Sequence, residues 1–117
     1  MALYNSLPPY PIAGSVSEGL TATPGGTQAT ALGVVSRVNR VAVVATAGDA
    51  VRLPPFLTDG PCYVVNDSLN ALSVYAYEPT SMIGSSVGGL AATVAPGKAA
   101  YFVGTGTYGK WLMIQSS

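Results

Sequence analysis

The sequence predicts an all-β domain, an antiparallel β-sandwich of jelly-roll type, carried behind an extended N-terminal arm. Three observations predict it. From Gly19 onward, turn-forming residues recur about every 8–12 residues, the rhythm of short strands in a sandwich or barrel. The runs between them are rich in Val, Thr and Tyr, which suit a pleated, half-buried surface. No stretch sustains the i, i+3, i+4, i+7 apolar spacing of a capped helix. Residues 1–18 form the arm and residues 19–117 the sandwich, one domain in a chain of 117 residues.

In the arm, prolines at 8, 9 and 11 fix φ and remove backbone donors, which favours an extended strap. Tyr4, Leu7, Tyr10 and Ile12 give that strap apolar hooks for a neighbouring subunit. In the domain, Leu20-Thr21-Ala22-Thr23 alternates and stops at Pro24-Gly25-Gly26. Thr27 to Val35 alternates small polar and apolar residues. Val38 to Val44 carries Val at 38, 41, 43 and 44, and the nearest helix candidate, Val34 to Val44, is too β-branched for one. Ala50 to Leu53 ends at Pro54-Pro55.

Cys62 to Asn66 is an unbroken apolar run, the pattern of a strand buried on both faces. Tyr63, Tyr101 and Trp111 lie in such runs and are assigned to the core, as is Cys62. Asn66-Asp67-Ser68-Leu69-Asn70 is a polar turn with Leu72 to Tyr77 as its return strand. Leu72, Val74 and Ala76 then share one face; Ser73, Tyr75 and Tyr77 share the other. Met82-Ile83 and Leu90 to Val94 are brief strands, and Ala95-Pro96-Gly97-Lys98 reads as a type II turn. Ala100 to Val103 and Lys110 to Ile114 pair across Gly104–Gly109 as a hairpin. No repeat of the kind that builds solenoids is expected.

Composition narrows the function. Five Lys and Arg balance five Asp and Glu, so there is no basic footprint for nucleic acid. Charged residues make up only 9%, against about a quarter in an ordinary domain, and mean hydropathy is +0.40. A weakly charged, apolar surface is relieved by burial against partners. The first basic residue is Arg37 and the early apolar segment is broken by prolines, so a soluble, unprocessed chain with no membrane helix is expected.

Histidine is absent, which removes the usual general base and metal ligand, and Cys62 stands alone. No enzyme, cofactor or metal is expected. Gly104-Thr105-Gly106-Thr107-Tyr108-Gly109 matches G-x-G-x-x-G, but no helix has room to follow it, so it reads as a hairpin turn. Asp49, Asp59, Asp67 and Glu78 sit in turn contexts where local hydrogen bonding explains them. A calcium site at Asp59 and Asp67 is the weaker reading. Lys98 and Lys110 read as surface lysines. Tyr75 and Tyr77 on one strand face suit either a subunit contact or a carbohydrate-stacking platform.

The order Leu20-Thr21-Ala22-Thr23, Thr27-Gln28-Ala29-Thr30-Ala31, Val51-Arg52-Leu53-Pro54 and Val64-Val65-Asn66 resembles small β-rich virion proteins of tailed bacteriophages. The likeness continues through Asn70-Ala71-Leu72-Ser73-Val74-Tyr75, Ile83-Gly84, Ala95-Pro96-Gly97-Lys98, Phe102 and Trp111, covering about Gly19 to Ile114. It implies a capsid decoration (cement) protein on the virion surface, a homotrimer that clamps the outer face of the major capsid protein. A fibre or tail module recognising a host glycan is the alternative. The partner-binding residues expected on this reading are Tyr4, Leu7, Tyr10, Ile12, Tyr75 and Tyr77.

Overall fold

Alternation along each apolar run decides which side chains turn inward, and two sheets are assembled from that alternation. A computed structural model describes residues 15–56, 61–84 and 90–116. It contains β1 (Val16–Thr21), β2 (Leu32–Gly33), β3 (Val38–Val43), β4 (Ala50–Arg52) and β5 (Cys62–Asn66). β6 (Leu72–Tyr75), β7 (Met82–Ile83), β8 (Ala92–Val94), β9 (Ala99–Gly104) and β10 (Lys110–Gln115) follow. Among the described residues there is no helix. A six-stranded sheet has the order β1-β3-β5-β9-β10-β7, and a four-stranded sheet the order β2-β4-β6-β8.

The all-β expectation stands; the antiparallel jelly-roll pattern is corrected. β1, β3 and β5 run parallel in the large sheet, and β2, β4 and β6 run parallel in the small one. The chain therefore alternates between sheets, and its first six strands stack as three two-strand turns. The reason lies in the connections. Residues 44–49 and 67–71 do not fold a strand back on its predecessor but carry it across the core to the other layer. Leu72–Tyr75 is accordingly not the return partner of Cys62–Asn66; β6 pairs with β4 and β8. The solenoid-like stacking also went unpredicted, because no sequence repeat marks it.

Antiparallel pairing begins where the stack is closed off, with β9 between β5 and β10 and β8 against β6. The β9–β10 hairpin is the one the sequence predicts, with Gly109 at φ 80° before β10. In the predicted turn at Ala95–Lys98, Gly97 has φ 73° and Lys98 N–H donates to Ala95 O at 3.1 Å. That turn moves the chain from the small sheet to the large one. β1 begins at Val16, inside the segment assigned to the arm; Tyr4, Leu7, Tyr10 and Ile12 lie outside the described residues.

Val41, Val64, Phe102 and Trp111 from the large sheet meet Val51, Leu72, Val74 and Val94 from the small one in a single apolar core. Two asparagines interrupt it, and both are fully satisfied in place. Asn66 Nδ2 donates to Asn70 O (2.8 Å) and Val94 O (3.0 Å), and its Oδ1 accepts from Ser68 Oγ (2.7 Å). This side chain bridges β5 to β8 across the core. Asn39 Nδ2 donates to Ser36 O (2.7 Å) and Tyr63 O (3.2 Å) while Oδ1 accepts from Ser36 N–H (3.1 Å), fixing β3 against β5.

Candidate interaction surface

Two of the described carboxylates hold turns, and a third lies in an ion pair. Asp49 is buried, with its carboxylate accepting backbone N–H groups from Gly25 (3.2 Å) and Thr46 (3.1 Å). Glu78 accepts from Phe56 N–H (3.0 Å) and Ser81 Oγ (3.1 Å). Asp67 pairs directly with Arg40, whose guanidinium also lies 3.7 Å from Glu18. Among the described residues no three acidic or sulfur ligands converge. Asp59, and with it the Asp59–Asp67 calcium reading, lies outside them. Burial pushes the Cys62 thiol up from 9.0 to about 11, against the lowering effects of Arg37 and the Asn39 hydrogen bond. The thiol therefore stays protonated near neutral pH and is a poor nucleophile.

The outer face of the large sheet is a different kind of surface. Register aligns Val16 with Val38, Val38 with Tyr63, Tyr63 with Tyr101, and Tyr101 with Ile114, so five strands contribute one continuous apolar row. Val16 is 50% exposed, Ile114 57% and Tyr63 38%; Val38 and Tyr101 are half-buried. Beside this row lie Leu112 with Val103, and Val65 with Ala99, paired across their strands on the same face. Tyr63 and Tyr101 meet edge to face, with ring centroids 4.9 Å apart at 66°.

This corrects the core assignment of both tyrosines. The signal was in the alternation. Cys62, Val64 and Asn66 turn inward on β5, which sends Tyr63 and Val65 outward; Ala100 and Phe102 do the same for Tyr101 and Val103. An unbroken apolar run concealed that period because the outward positions are apolar too. Trp111 is in the core as expected, stacked edge-on to Phe56 at 5.4 Å.

On the opposite side of the molecule, β6 turns as predicted. Leu72, Val74 and Ala76 are buried, while Ser73 and Tyr75 are half-buried and Tyr77, just past the strand, is 44% exposed. The Arg52 guanidinium sits 4.9 Å from the Tyr77 ring centroid, a cation–π contact, and is the strand neighbour of Tyr75. The Gln28 amide holds the backbone there by donating to the Tyr77 and Ala76 carbonyls. Tyr77, Arg52, Val35 and Pro54-Pro55 edge an open cleft of about 340 Å³. Tyr75 and Tyr77 thus share the small sheet's outer side, away from the apolar row. Comparisons with protein-family models, curated proteins and solved structures find no match for this chain.

Proposed function

We propose that this chain is a structural component of a bacteriophage virion, a capsid decoration protein that binds the outer face of the major capsid protein and stabilises the head. The apolar row across the outer face of the large sheet carries the reading. A side chain such as Ile114, 57% exposed at its end, gains by leaving water, and a row five strands wide is suited to a flat partner surface. The inertness of the Cys62 thiol and the turn-holding roles of Asp49 and Glu78 favour binding over chemistry. Quantitative mass spectrometry of purified virions tests it. A copy number comparable with the major capsid protein is expected, and a handful of copies per particle excludes a decoration role.

The Tyr77 cleft favours a second reading, a fibre or tail module that stacks a host sugar on the exposed tyrosine face. On that reading Tyr77→Ala weakens adsorption to host cells and leaves particle stability unchanged. Unchanged adsorption eliminates it.

A further inference from the structure

We propose that the outer face of the large sheet is the meeting surface of two copies of this chain, related by a two-fold axis. The inference rests on the assembly reading above and keeps from it only that the row is an assembly contact: the partner on this face is a second copy, and the capsid is met by another surface of the pair. Charge placement carries it. Arg40 is engaged by Asp67, so Glu18, 3.7 Å away with its side chain 70% exposed, keeps uncompensated charge at the β1 edge. Lys110 is exposed at the other side of the sheet, opening β10 beside Met82 of β7. β5 and β10 both run antiparallel to β9, so Lys110, at the start of β10, lies at the opposite end of the strands from Asp67, which follows β5. Glu18 and Lys110 therefore occupy opposite sides of one face, with the apolar row between them.

A two-fold axis lying diagonally in the plane of that face crosses the apolar rows of two copies near Tyr63 and Tyr101, with the two sheets close to perpendicular. It also sets each Glu18 over Lys110 of the other copy, the self-complementarity that an isologous pair requires. Sheets crossed in this way share a square about five residues on a side, roughly 270 Å² of plane per copy. With side-chain relief this stays short of the about 800 Å² per partner of an ordinary specific interface, so the pair is a weak, reversible one. The resemblance to decoration proteins implies a trimer, but a face that matches itself makes pairs.

Sedimentation velocity of the full chain over a concentration series tests the proposal, with thermal unfolding as the check on folding. A reversible equilibrium between one and two copies is expected. Ile114→Lys abolishes the pair. Lys110→Glu weakens it about fivefold at low salt, and adding Glu18→Lys restores it. One copy at every concentration overturns the proposal, as do three copies or an Ile114→Lys variant that still pairs. A chain that pairs only after Leu7→Ser, Tyr10→Ser and Ile12→Ser assigns the face to the chain's own arm and overturns it too. Pairing in solution with few copies on virions removes the decoration reading and leaves this inference standing.

Discussion

Asn66→Ala removes the one side chain that hydrogen-bonds from β5 to β8 through the core. Three bonds go with it, to Asn70 O, Val94 O and Ser68 Oγ. Ser68 is half-buried and still has Asn70 O within 3.1 Å, so its loss is small. The two donations to carbonyl oxygens matter more, at about 0.5–1.5 kcal/mol each, and the vacated volume adds to them. The expected loss is about 2–3 kcal/mol, out of the about 5–15 kcal/mol typical of a domain. For a chain of this size that lowers Tm by about 8–12 °C. Asn66→Asp is the sharper probe, because it keeps the shape but turns a donor into an acceptor facing two carbonyl oxygens. It is expected to destabilise more than Asn66→Ala. Urea titration and thermal melts followed by circular dichroism measure both. An Asn66→Ala protein within about 0.5 kcal/mol of the parent, or Asn66→Asp more stable than Asn66→Ala, refutes the bridging role.

Two further perturbations follow from packing and titration. The raised pKa of Cys62 means that between pH 9 and about 11 the unfolded chain releases a proton that the folded chain keeps. Stability then falls as pH rises through that window, by at most about 3 kcal/mol for a two-unit shift. In Cys62→Ala this component disappears; parallel stability curves for the two proteins contradict it. A Cβ added at Gly26 would lie 3.0 Å from both the Ala50 Cβ and the Thr23 carbonyl oxygen, whereas at Gly106 nothing stands within 4 Å. Gly26→Ala is therefore expected to destabilise by about 1–3 kcal/mol and Gly106→Ala by less than about 0.5, and equal denaturation midpoints contradict the contrast.

Strand positions were legible because they depend on local chemistry. Met82–Ile83 matches its predicted strand residue for residue, and the Gly104–Gly109 hairpin follows from glycines that only a turn requires. Thr27 to Val35 was legible only in part: β2 keeps Leu32–Gly33, while Thr27 to Ala31 closes into a turn with Ala31 N–H donating to Thr27 O at 2.9 Å. Which sheet each of the first six strands joins was not legible. A connection such as residues 67–71 is short enough for a hairpin and just as able to cross between layers. The choice is made by long-range burial, with Leu72 turned into the same core as Val64 from the opposite side. The candidate surface was concealed for a related reason. Outward Tyr63 and Val65 are as apolar as inward Val64, and a run with no polar face carries no marker of direction.

Parallel stacking also explains why association through a face is favoured over association through an edge. A stack of parallel turns leaves its first strand unpaired on one side, and such an edge is a template for further strands. Here β1 is a poor template. Its pairing with β3 slips twice, between Ser17 and Leu20 and again between Leu20 and Thr21. Gly19 sits inside the first slip at φ 68°, and Glu18 beside it is charged and exposed. Bulges and charge both discourage edge-to-edge pairing. Among the described residues, the row across the outer face of the same sheet carries no charge from Val16 to Ile114, with Arg40 beside it next to Val65. An open-ended addition of strands produces fibres of undefined length, whereas a face that matches its own copy closes after one step. With charge as scarce as 9% of residues, the one charged residue of β1, Glu18, serves two ends at once: it blocks the edge and sets the orientation of the face.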